Sequence, residues 1–138
     1  MRYEAFGAGP VLLLGFPISL GPDGDSLRQQ YLDRLTDRYK VVVMDYPPTG
    51  RDAETLVEVF TPDHVCADML SVADAAGADR FAWYGYSWGG LVGLQLAART
   101  DRLTALVCGG FPPFGASYRV SWRGPKRRLN VRCPVLPG

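Results

Sequence analysis

The sequence predicts an α/β fold, a parallel sheet with flanking helices, on three observations. Short apolar runs alternate with amphipathic segments along the 138 residues, which is the pattern of successive βαβ units. The runs are rich in Val and Leu without polar alternation, as strands covered on both faces require. One serine framed by glycines stands between such a run and a helical segment, where a strand passes tightly into a helix.

Val11-Leu12-Leu13-Leu14 is the first run, bounded by Gly9-Pro10 and Gly15-Phe16-Pro17. Ser26 to Thr36 follows as a helix with Leu27, Tyr31, Leu32 and Leu35 on one stripe, and Ser26 is its expected N-cap. Tyr39 to Tyr46 is the second run. In the next helix Thr61 caps, Pro62 takes the first position, and Val65, Met69, Val72, Ala73 and Ala76 recur at helical spacing before Gly77. Arg80 to Tyr86 is the third run, Trp88 to Arg99 the third helix, and Leu103 to Cys108 the fourth run. Four parallel strands are expected. The pattern fails after Phe111, so 1–112 reads as the core and 113–138 as a basic tail rich in Arg, Pro and Gly. Val131 to Leu136 is the one further strand candidate there.

An apolar content of 47% with mixed charge excludes a disordered chain. No apolar run reaches the roughly 20 residues of a spanning helix, and no secretory leader precedes Val11, which reads as cytoplasmic. Cys66, Cys108 and Cys133 lack zinc-site spacing, so neither a metal nor a cofactor is expected. The net charge of +1 hides an asymmetry: every Asp and Glu lies at or before Asp101, whereas Arg102 to Gly138 holds seven Lys and Arg and no acid. Such a tail suits anionic surfaces or nucleic acid, but no aromatic platform or reading helix accompanies it.

Gly85-Tyr86-Ser87-Trp88-Gly89-Gly90 is G-x-S-x-G after a predicted strand and before a predicted helix. Glycines at 85 and 89 remove side chains that would collide in the tight turn, Gly90 is expected to let the helix approach the sheet, and the helix start aims its positive end at Ser87. A phosphate loop is the competing reading of this pattern. It needs a lysine, and none lies between Lys40 and Lys126.

Together these residues resemble the α/β-hydrolase family from about Arg2 to Phe111, a partial α/β-hydrolase fold lacking the C-terminal strands. Gly9 to Pro17 is similar to the family's oxyanion strand and loop, with Leu14-Gly15 where His-Gly is usual. Met44 to Arg51 resembles the loop of the next strand, and Asp68-Met69-Leu70 the helix before the elbow. The resemblance implies Ser87 as nucleophile and the backbone N–H groups of Phe16 and Trp88 as the oxyanion hole. Ser87 itself disfavours the members with an aspartate nucleophile, epoxide hydrolases and dehalogenases.

A serine of this kind needs a base and a carboxylate, in the family order serine, acid, histidine. After Ser87 the sequence holds no histidine and only Asp101 as acid. The sole histidine, His64, sits in a first helical turn beside Asp63, where surface exposure and helix-dipole complementarity explain both; it is the remaining candidate base. Asp45, at the end of the second run, reads as a loop-fixing carboxylate or a functional one. Lys126 to Leu136 resembles the approach to the strand that carries the family's acid. On that reading the chain ends short of its acid, and a shifted reading frame is the rival account.

The expected function is therefore serine-nucleophile hydrolysis of a carboxylic ester or similar carbonyl substrate, truncated and catalytically impaired. The alternatives are a non-catalytic module binding a small molecule or a protein on the same fold, and anionic-surface or nucleic-acid binding through the tail. Self-association through an exposed sheet edge is expected of the truncated hydrolase.

Overall fold

Tracing the apolar runs into three dimensions, the computed structural model describes residues 3–15, 22–44 and 61–110, apart from the side chains of 22–25. In chain order these form β1 (Tyr3–Phe6), β2 (Val11–Gly15), α1 (Pro22–Leu35), β3 (Lys40–Met44), α2 (Pro62–Ala75), β4 (Phe81–Tyr86), α3 (Trp88–Arg99) and β5 (Leu103–Gly109). The strands make one sheet in the order β1-β3-β2-β4-β5. β2 to β5 are mutually parallel, as the four runs predict. β1 adds an antiparallel edge against β3, a strand the sequence reading lacks.

Alternate residues of each central strand serve opposite layers. Leu12, Leu14, Val41 and Val43 pack with Leu32 of α1 on one face. Val11, Leu13, Val42, Met44, Phe81 and Trp83 meet Val65, Met69 and Val72 of α2 and Val92 and Leu96 of α3 on the other. Every residue of β2 is consequently buried, which is why it reads as an unbroken apolar run.

α2 starts as its sequence dictates. Thr61 is extended at φ −87°, ψ 153°, and its hydroxyl accepts the His64 amide at 3.3 Å. α1 differs from expectation at its start: it begins at Pro22, so Ser26 lies inside the helix and does not cap it. The fixed φ of proline suits a first helical position and moves the start one turn earlier.

Arg102 ties the α2–β4 turn to the beginning of β5. Its guanidinium donates to the Ala78 carbonyl at 2.6 Å, the Asp79 carbonyl at 2.9 Å and Asp74 at 2.6 Å, and lies over the Phe81 ring. Among the described residues β5 is the edge strand opposite β1, and Val107 is 47% exposed there. No helix among them is long and apolar enough to cross a membrane.

Candidate active site

The strand order reverses direction between β2 and β4. β2 leads through α1 to β3 on one side, and the chain then returns past β2 to lay down β4 on the other. In a doubly wound sheet the carboxyl ends of two such strands diverge around a crevice that binds ligands. Gly15, the end of β2, pairs with Gly85, and Ser87 follows two residues on.

Ser87 has φ 52° and ψ −118° and is the sole non-glycine at positive φ among the described residues. A side chain in such a region costs on the order of 1–3 kcal/mol and persists where its surroundings enforce it. Three backbone hydrogen bonds do so here. The Ser87 amide donates to the Gly109 carbonyl at 2.8 Å, and the Ser87 carbonyl accepts from Gly90 at 2.9 Å and Leu91 at 3.4 Å, opening α3.

Glycine is demanded at 85 and 89 by close approach. A Cβ on Gly85 would overlap the Gly89 carbonyl, and one on Gly89 would overlap the Gly15 carbonyl. Gly90 corrects the sequence reading: a Cβ there would make ordinary contacts, 3.5 Å to the Gly85 oxygen and 3.6 Å to Cys108 Cβ. The close approach of helix to sheet belongs to Gly93, where a Cβ would lie 2.6 Å from both Leu106 Cδ1 and Trp83 Cδ1. The signal for it was the glycine one turn after Gly89, opposite a tryptophan in the preceding strand.

The Ser87 side chain is exposed and makes no capping bond, so its oxygen stands open at the carboxyl edge. Trp88 is the first residue of α3 and places its backbone at the positive end of the helix dipole. Phe16, the other oxyanion position, and Asp45 lie outside the described residues.

His64 is exposed, and its Nδ1 lies 2.9 Å from the Thr61 hydroxyl. Its neighbour Asp63 accepts from Arg99 Nε at 2.7 Å, and Arg99 also donates to the Gln95 carbonyl at 3.3 Å. The first turn of α2 is thus moored to the last two turns of α3. Gln95 lies about 12 Å along the helix axis from Ser87 at 1.5 Å per residue. No described contact brings His64 to Ser87. Asp101 is exposed in the turn after α3, at the opposite end of that helix from the serine.

Among the described residues, burial alters the acidity of one phenol and one thiol. Burial, together with the Tyr31 hydroxyl at 3.1 Å, pushes Tyr84 up to about 12. Burial pushes the Cys66 thiol up to about 11. Both stay protonated near neutral pH, and neither supplies an anion to the crevice. Among the described residues no three His, Cys, Asp or Glu side chains group as a metal site would need.

A serine forced to positive φ between a strand and a helix, at the switch point of a mostly parallel sheet with helices on both faces, defines a doubly wound α/β protein. The family model for the α/β hydrolase fold matches residues 12–117, and the chain belongs to that family. It is 36% identical over 128 residues to the proposed carbamate hydrolase RutD of Enterobacter cloacae subsp. cloacae, covering 91% of this chain and 47% of that one. Among solved structures, a hydrolase from Pseudomonas aeruginosa superposes with a TM-score of 0.57 at 26% identity, over 77% of this chain and 40% of that one. The epoxide hydrolase VrEH1 from Vigna radiata does so with a TM-score of 0.61 at 26% identity, over 77% and 35%. The chain spans about half the length of the curated relatives it matches.

Proposed function

We propose that Ser87 is the nucleophile of a hydrolase acting on a carboxylic ester or a similar carbonyl compound. The strained backbone of Ser87, which presents an open hydroxyl at the switch point, is the observation that carries this reading. In this chemistry the serine oxygen adds to the carbonyl carbon while its proton passes to a base. The Phe16 and Trp88 N–H groups stabilise the oxyanion, the leaving group departs, and water then releases the acyl group. The activity in the name of the RutD relatives extends the substrate class to carbamates, whose carbonyl accepts the same attack. No metal or cofactor enters these steps.

The base sets the rate. His64 is the one histidine in residues 1–138, and it is engaged with Thr61. Loss of the histidine of such a triad costs about a millionfold in turnover by the subtilisin precedent, roughly 8 kcal/mol of barrier. Binding and the oxyanion hole retain about 10³ to 10⁴ over water in that case. The segment 1–138 by itself is accordingly proposed to be a slow hydrolase, with 1–112 as the core, 113–138 as a basic tail, and the cytoplasm as the setting.

A fluorophosphonate probe tests the reading. Labelling mapped to Ser87 and abolished in Ser87→Ala supports it. Equal labelling of both proteins overturns it and favours the second reading, a binding module that keeps the crevice without the chemistry. That alternative draws its support from the bond of His64 to Thr61, in a turn whose Asp63 is paired with Arg99 at the end of α3 opposite Ser87.

A further inference from the structure

Trp83 is buried to 1% exposure in the strand that ends at the elbow. Its indole touches three backbone segments at once. Nε1 donates to the Gly89 carbonyl at 2.9 Å, inside the first turn of α3. The six-membered ring fills the space a Gly15 side chain would need, at the end of β2 and one residue before Phe16. Cδ1 lies 2.6 Å from where a Gly93 Cβ would be, one turn further along α3. Two glycines, Gly15 and Gly93, therefore leave the room that one indole occupies.

We infer that Trp83 is a positioning residue for Ser87. It sets the rotation of the first turn of α3, through the bond to Gly89, relative to the end of β2. This inference rests on the reading of Ser87 as nucleophile. The two backbone segments it joins are those that carry the proposed oxyanion donors: Trp88 precedes Gly89, and Phe16 follows Gly15. The Gly89 carbonyl shares a peptide with the Gly90 N–H, which donates to the Ser87 carbonyl, and that carbonyl shares a peptide with the Trp88 N–H; loss of the indole bond loosens this relay and lets the Trp88 N–H tilt away from the point where the oxyanion forms. An aliphatic side chain at 83 would fill the core but would give the Gly89 carbonyl no side-chain donor.

The experiment separates the bond from the packing. Trp83→Phe removes the N–H and part of the ring, whereas replacement of Trp83 by 3-benzothienylalanine keeps the bicyclic shape and removes the N–H alone. Each protein is assayed for thermal unfolding, for the second-order rate of fluorophosphonate labelling at Ser87, and for amide hydrogen exchange. The benzothienyl protein is expected to unfold within a few degrees of wild type, to label at least tenfold more slowly, and to exchange its Ser87, Gly90 and Gly93 amides at least tenfold faster. The Val41 to Val43 amides should be unchanged. Labelling and exchange both within twofold of wild type would overturn the inference, because packing alone would then account for Trp83. If wild type is not labelled at Ser87, the nucleophile reading fails by itself. The exchange data then decide the role of Trp83: faster exchange confined to the elbow upholds its bracing of the turn, and unchanged exchange rejects it.

Discussion

The Ser87 amide donates to the Gly109 carbonyl, so the strained residue is fastened to the far end of the neighbouring strand. Glycine adopts φ 52°, ψ −118° without a Cβ conflict. Ser87→Gly is therefore expected to unfold at higher denaturant than Ser87→Ala, by on the order of 1 kcal/mol once the greater freedom of the unfolded glycine chain is set against the relieved strain. Equal midpoints would show that the turn stores no strain.

Two adjacent glycines should respond in opposite ways. Gly89→Ala drives a methyl into the Gly15 carbonyl and is expected to cost several kcal/mol or to prevent folding. Gly90→Ala makes ordinary contacts and gains helix propensity, so it should be neutral or more stable by up to about 1 kcal/mol. Urea unfolding of the two variants beside wild type reads the difference.

His64→Ala should leave the Ser87-dependent labelling and hydrolysis rates unchanged, since the ring is held by Thr61 and the turn is moored to Arg99. A loss of tenfold or more would identify His64 as the base. Thr61→Ala, by contrast, is expected to lower stability by about 1 kcal/mol through loss of the helix cap.

Cys66 predicts an alkaline effect. Burial raises its pKa from the 9.0 of a free thiol to about 11 in the fold, so the folded state favours the neutral form. Its contribution is fully present below pH 9 and is lost as the pH rises through about 11, because the unfolded chain ionises first. Unfolding measured across that window should fall more steeply for wild type than for Cys66→Val. At pH 8 an alkylating reagent should modify exposed Cys108 before buried Cys66.

The elements most legible in the sequence were those whose signals are local. α2 carries its cap, its proline and its closing glycine within one segment, and α3 follows directly from the G-x-S-x-G turn. β1 was missed because Tyr3–Phe6 has four residues, no apolar run and one partner strand; its antiparallel pairing to β3 is a long-range event. At the site, Ser87 and the need for Gly85 and Gly89 could be read from the turn itself. The roles of Gly90 and Gly93 could not, because they depend on which face of α3 meets the sheet and on Trp83 and Leu106 in two different strands. The mooring of His64 was equally hidden, since Asp63 and Arg99 meet only once both helices are packed.

The strand order also says something about how the molecule assembles. β2-α1-β3 and β4-α3-β5 each close over short stretches of chain, whereas the seam between β2 and β4 pairs Leu12 with Ala82 and must wait for a long loop to close. The elbow's hydrogen bond to Gly109 forms inside the second unit. The contacts of Gly89 and Trp83 with Gly15 form across the seam. During folding, the serine turn can therefore be shaped before the wall opposite it arrives, and the crevice comes into being only when the two halves zip together.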